Sequence, residues 1–116
     1  MSKINVFHSD QALTLECGLS LPFLDIAYTD TGGAHLPVVW ICHALTANAD
    51  PAEWWPGLVG EGKLFDPGQY RVICANILGS CYGTIGPTAI NPETKAVFGG
   101  KFPLITIRDM VAAHRI

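Results

Sequence analysis

Leu36-Pro37-Val38-Val39-Trp40-Ile41-Cys42 is the stretch on which the fold turns. It is a continuous apolar run with β-branched residues, the pattern of a strand covered on both faces in a mostly parallel sheet rather than of one with an alternating wet face. Arg71-Val72-Ile73-Cys74-Ala75 is the next such run. Between them Glu53-Trp54-Trp55-Pro56-Gly57-Leu58-Val59 has room for a helical turn, but Pro56 and the glycines at 57, 60 and 62 exclude a long regular helix. Buried strands joined by connections of this length predict an α/β architecture.

Upstream, Ala12-Leu13-Thr14-Leu15-Glu16 and Leu24-Asp25-Ile26-Ala27-Tyr28 alternate apolar and polar residues around Gly18 and Pro22, which reads as an opening antiparallel hairpin. Downstream, the Gly- and Pro-rich segment from Asn76 to Pro103 is expected to be a long loop without regular structure, and long loops in compact domains usually carry function. At Thr106-Ile107-Arg108-Asp109 a capping box with Asp in place of Glu starts a helix, with Ile107, Met110, Val111 and His114 on one stripe. No Gly, Pro or polar stop follows before Ile116, so the expectation is a chain that ends inside an element, as a truncated one would.

The 116 residues suffice for one domain, or part of one, and a domain of that size buries roughly two-thirds of the surface of its unfolded chain. Apolar residues make up 49% and charged residues 15%, a globular composition. The seven Lys and Arg are scattered singly in a chain of net charge -3, which argues against nucleic acid as a partner. No apolar run approaches the ~18 residues that span a bilayer, and the first residues lack the apolar core of a signal peptide, so no membrane partner and a cytoplasmic location are expected. Cys17, Cys42, Cys74 and Cys81 show neither C-x-x-C spacing nor nearby histidines; no metal is expected, and the thiols read as reduced and mostly buried. His8, His35 and His114 have no acidic partner at catalytic spacing and read as surface or packing residues.

Two segments can carry chemistry. His43-Ala44-Leu45-Thr46-Ala47-Asn48 leaves the carboxyl end of the first buried strand, where open α/β sheets bind ligands and backbone N–H groups can face a developing oxyanion; an ordinary strand exit with His43 packed on the sheet is the alternative. Asn76-Ile77-Leu78-Gly79-Ser80-Cys81-Tyr82-Gly83-Thr84-Ile85-Gly86-Pro87 contains a formal nucleophile elbow centred on Cys81. An elbow needs a helix directly after the nucleophile, and Gly86-Pro87 would break it. A substrate-pocket loop and a structural glycine-rich turn are the other readings of that segment. Trp54-Trp55 suits either an apolar pocket wall or an anchor that pins its loop to the core.

His43-Ala44-Leu45-Thr46, Trp54-Trp55 with Gly60 to Gly62, Asn76-x-Leu78-Gly79-Ser80-Cys81-Tyr82-Gly83-Thr84-x-Gly86-Pro87, Asn91-Pro92 and Phe102-Pro103-Leu104-Ile105-Thr106-Ile107-Arg108-Asp109 resemble, in that order, the homoserine O-acetyltransferases. The similarity runs from about Leu13 to the end and identifies the chain with the N-terminal part of an α/β-hydrolase fold, residues 1–116 forming a partial domain that lacks the nucleophile elbow and the rest of the triad. The resemblance implies a ping-pong transfer in methionine biosynthesis: a serine takes the acetyl group from the co-substrate acetyl-CoA and passes it to the hydroxyl of L-homoserine, with no bound cofactor. It also implies that the Leu45 backbone N–H is one oxyanion donor, that Asn76, Gly79 and Tyr82 border the substrate, and that the full-length enzyme is a homodimer. The triad order Ser, Asp, His places all three outside this chain, so the fragment alone is expected to be inactive. Ala47 stands where Gly is common in the family and Ile85 where Ser or Thr is common. A succinyl donor, a serine acceptor, a hydrolase of the same fold, and a non-catalytic piece that needs a partner chain are the competing expectations.

Overall fold

The computed structural model describes residues 2–116. Strands β1 (Asn5–Ser9), β2 (Leu13–Thr14), β3 (Ser20–Leu21), β4 (Leu24–Thr31) and β5 (Val38–Ile41) precede the single-turn helix α1 (Pro51–Trp54). Strand β6 (Arg71–Ala75), a 3-10 turn (Gly99–Lys101) and helix α2 (Ile107–His114) complete the order. Four strands form one sheet in the order β1-β4-β6-β5, and β2-β3 form a second, two-stranded sheet. Contacts divide the chain into two units, one built on Ala27–Asn76 and the other on Val6–Ile26 with Ile77–Ile116.

In the first unit β6 is the central strand. It runs parallel to β5, with Val38 opposite Arg71 and Ile41 opposite Cys74, and antiparallel to β4, with Tyr28 opposite Ala75 and Thr31 opposite Val72. Ile41, Val59, Val72 and Cys74 form the core, with Val39, Trp54, Phe65 and Tyr70 packed against them. Only one face of β5 is covered: Ile41 is buried, while Val38 and Trp40 point the other way and are exposed. The expectation of two covered faces therefore fails for β5, which is an edge strand with its 38/40 face open among the described residues. Of the tryptophan pair, Trp54 anchors, donating Nε1–H to the Asn48 carbonyl at 2.9 Å, and Trp55 stays exposed.

Arg71 and Asp30 pin the antiparallel pair with a two-pronged ion pair, Nε to Oδ1 at 2.9 Å and Nη2 to Oδ2 at 2.6 Å. The guanidinium holds the Asp30 carboxyl below its ordinary range. A lowered folded-state value means that the stabilisation is complete above the unfolded-state value and fades as pH falls through the folded one. Asp30→Asn is thus expected to lower the urea midpoint at neutral pH. The difference from the parent should shrink towards zero in strong acid, and a pH-independent difference would refute the ion-pair account.

In the second unit the opening hairpin is present with a different partner. Leu13 pairs with Leu21 and Thr14 with Ser20, closed by Leu15 N–H to Leu19 O at 2.8 Å, and β4 joins the larger sheet instead. The loop after Asn76 has no strand, only an isolated bridge between Ile90 and Val97 and the 3-10 turn. Within it Lys95 holds φ of 62°, a left-handed conformation that costs an L-residue roughly 1 kcal/mol. Lys95→Gly is expected to raise stability by about 0.5 kcal/mol, the relief being partly offset by the greater freedom of glycine in the unfolded chain. Thermal unfolding of the variant checks this, and a lowered midpoint would contradict it.

Helix α2 begins at the expected capping box. Thr106 Oγ1 accepts the Asp109 N–H at 3.2 Å and Asp109 Oδ2 accepts the Thr106 N–H at 2.9 Å. The expected apolar stripe is not the buried one. Ile107 and Val111 are exposed, and the helix buries Asp109 and Ala113. Asp109 faces inward because its Oδ1 also accepts the Glu16 N–H at 3.0 Å, and these backbone donors hold its carboxyl below the usual range. The cysteines also depart from expectation. All four are free thiols as expected, but only Cys74 is buried, with burial pushing it up to about 12, whereas Cys17, Cys42 and Cys81 are exposed.

Candidate functional site

In the first unit, β5 and β6 are parallel, so their carboxyl ends lie at the same end of the sheet. One is followed by the turn carrying Leu45, the other by the segment that begins at Asn76. The turn closes from the Ala47 N–H to the Ala44 carbonyl at 2.9 Å. That bond leaves the Leu45 N–H outside the ring it closes, at the second position of the turn. Leu45 itself is 88% exposed. His43 stays at the strand exit, its Nδ1 2.8 Å from the Ala44 carbonyl oxygen, and is half-buried. Lys95 is the one non-glycine residue with positive φ among those described, so Ala47 occupies its turn without left-handed strain.

Asn76 continues β6 and is buried, its N–H donating to the Ala27 carbonyl at 2.9 Å. An asparagine at the carboxyl end of a central strand, with its backbone already held by the neighbouring strand, has its position fixed. Position is the first requirement of a residue that orients a ligand.

Gly79 and Tyr82 belong to the second unit. The Gly79 N–H donates to the Ile85 carbonyl at 2.9 Å, and the Ile85 N–H donates to the Asp25 carbonyl at 2.8 Å, so the glycine-rich loop is tied to the first residues of β4. Ile85 is buried, and an apolar side chain in place of a hydroxyl fills that space. Gly86 is required by proximity, because a Cβ there would sit 2.9 Å from the Ser80 carbonyl oxygen. No helix follows Cys81, and the segment after it is a series of bends, which removes the basis for a nucleophile elbow. Tyr82 is 49% exposed on this loop.

The same unit contains a small hollow of about 160 Å³ lined by Asp25, Ser80, Cys81, Thr84 and Thr88, among others. Ser80 Oγ is buried without a hydrogen-bond partner. Asp25 in turn meets His8, whose Nδ1 is 2.5 Å from Asp25 Oδ1 and whose Nε2 is 2.8 Å from Asp10 Oδ1. Sequence spacing missed this cluster and left His8 without an acidic partner, because residues 8 and 25 meet only when β1 lies beside β4. Among the described residues no cluster of three or more His, Cys, Asp or Glu suited to a metal ion occurs, and no helix is long and apolar enough to cross a membrane.

No protein-family model matches the chain. Over 114 residues it is 50% identical to a homoserine O-acetyltransferase of Chlorobium chlorochromatii, which covers 95% of this chain and 32% of the relative. The chain thus spans about a third of the length of the curated relatives it matches. Among solved structures it resembles esterase E22, with a TM-score of 0.84 at 28% identity, covering 99% of this chain and 36% of the esterase. It also resembles a homoserine O-acetyltransferase from Bacillus anthracis, with a TM-score of 0.82 at 30% identity, covering 97% of this chain and 35% of that one.

Proposed function

We propose, for a chain that belongs by sequence to the homoserine O-acetyltransferase family over the third of its relatives' length that it spans, that it supplies part of the active site of an acyltransferase moving acetyl from acetyl-CoA to the hydroxyl of L-homoserine. The observation that carries this reading is the half-identical match over 95% of the chain. In the proposed reaction a serine outside these residues attacks the thioester carbonyl, CoA leaves, and the homoserine hydroxyl attacks the resulting ester. Each attack makes a tetrahedral oxyanion, and the Leu45 N–H, uncommitted to its own turn, donates to it. Asn76 positions substrate from the end of β6, and Gly79 and Tyr82 border it from the glycine-rich loop. Acetyl-CoA is a co-substrate, not a bound cofactor, and we assign the enzyme to the cytoplasm as a homodimer.

A second reading is supported by the likeness to esterase E22: a hydrolase in which water replaces homoserine as acceptor. The two are separated by a chimera in which this chain replaces the matching third of the Chlorobium chlorochromatii relative. Transfer predicts O-acetyl-L-homoserine, with CoA release that depends on homoserine. Release of acetate from simple esters with no dependence on homoserine would favour the hydrolase, and a folded chimera doing neither would reject both. The 12.5 kDa chain alone, its mass verified, is expected to turn over nothing, because its 116 residues contain no Gly-x-Ser-x-Gly.

A further inference from the structure

His8 lies on β1 between two carboxylates, Asp25 at the start of β4 and Asp10 in the turn after β1, and each ring nitrogen faces one of them. An ionised carboxylate can only accept hydrogen bonds, so both contacts are satisfied together only when both nitrogens carry hydrogen, as in the imidazolium. In either neutral tautomer one ring lone pair confronts a carboxylate oxygen, at 2.5 Å on the Asp25 side or 2.8 Å on the Asp10 side. We propose that His8 is a pH-operated clasp: as imidazolium it ties the Asp25 carboxylate to β1, and on losing its proton it lets that carboxylate turn to the hydroxyl-lined hollow that Asp25 shares with Ser80.

The groups around the ring determine the charge balance. Asp10 and Asp25 are the titratable groups that face it, Phe23 lies 6.0 Å away ring to ring and carries no charge, and Cys81 is the further titratable side chain on the hollow. One cation between two anions leaves the cluster at -1. Deprotonation takes it to -2 and leaves Asp10 and Asp25 repelling each other across the ring, which pushes the end of β1 away from β4. Released, the Asp25 carboxylate faces Ser80 Oγ, a buried hydroxyl that has no other hydrogen-bond partner. The hydrogen bond to Asp25, then that to Asp10, raises the His8 value above its ordinary one. A raised folded-state value means that the clasp is fully closed below the ordinary imidazole value of about 6.5 and opens as pH rises through the folded one. The site is open to solvent, so added salt weakens it.

The clasp does not depend on acyl transfer and is read on the 116-residue chain by nuclear magnetic resonance with uniform isotope labelling. Below the ordinary imidazole value both His8 ring nitrogens should be protonated, and the titration midpoint should lie above that value. The Asp25 carboxyl carbon should shift at that same midpoint, and the amide protection factors of β1 should fall through it. Asp25→Asn should move the midpoint down. Asp10→Asn should move it down by less, and as Asp10 is almost wholly exposed this variant keeps the fold if Asp25→Asn does not. A midpoint at or below the ordinary imidazole value, a midpoint that neither variant moves, or an Asp25 carbon indifferent to the His8 titration would each overturn the clasp.

Discussion

Gly32→Ala is expected to cost about 3–5 kcal/mol, enough to unfold a domain of ordinary marginal stability at or near room temperature. Two penalties combine. Gly32 directly follows β4 with φ of 93°, which costs an alanine about 1–2 kcal/mol. The larger penalty is steric: a Cβ would stand 2.2 Å from the Tyr70 carbonyl oxygen, 2.8 Å from that of Pro67 and 3.1 Å from the Arg71 Cα. All three are backbone atoms at the entry to β6, so none can yield as the end of a flexible side chain would. Moving them displaces Arg71, whose N–H donates to Pro37 at 2.9 Å and whose side chain holds Asp30, and so disturbs the register on both sides of the central strand. Gly57→Ala is the control, since a Cβ there meets nothing within 4 Å. Urea unfolding should find the Gly57 variant within about 0.5 kcal/mol of the parent. A Gly32 variant equally close to the parent would show that the β4 end can shift without cost.

What can be read in the sequence and what cannot divides along distance in the chain. The α2 capping box is legible because its partners, Thr106 and Asp109, are three residues apart and helix geometry alone brings them together. The strands β5 and β6 are legible because continuous apolar runs with β-branched residues mark a strand locally. Which face of β5 is covered is not, because that depends on what packs above Val38 and Trp40. The same holds for α2: its apolar residues at 107 and 111 fit the helical period, but the inward face is set by Glu16, 93 residues earlier, donating to Asp109. Three of the four cysteines escape a hydropathy reading for a related reason. Small apolar residues are most often buried, but Cys17, Cys42 and Cys81 all lie in turns or bends or at a strand exit, where chain geometry and not hydropathy decides exposure.

The candidate site shows the same division. The turn that carries Leu45 can be located from sequence as the segment just past a strand's exit, but Leu45 within it is singled out by the family resemblance, and the structure adds that the turn closes through Ala47 and leaves the Leu45 N–H unused by that bond. Asn76, likewise, owes its place in the candidate site to the resemblance, and the structure adds that it is buried at the end of β6. The His8 cluster has no local signature, because two of its three members lie 17 residues apart on different strands.

In a preparation that turns over acetyl-CoA and L-homoserine, such as the chimera, Leu45→Pro is expected to lower kcat by about 10²–10³, roughly 3–4 kcal/mol of transition-state stabilisation. Proline suits the test because it deletes the N–H while its fixed negative φ is favoured at the second position of common turns, and Leu45 does not have positive φ. The bond that closes the turn belongs to Ala47 and survives the change. An oxyanion exists only in the transition states and intermediates, so kcat and kcat/KM should fall together while KM moves little. Leu45→Ala keeps the N–H and removes a side chain that is 88% exposed, so it should stay within about threefold of the parent. The contrast between the two variants isolates the donor, with unfolding curves confirming that both keep the parent's stability. Equal loss in both would assign the effect to the leucine side chain, through substrate packing or exclusion of water, and no loss in either would remove Leu45 from the oxyanion site.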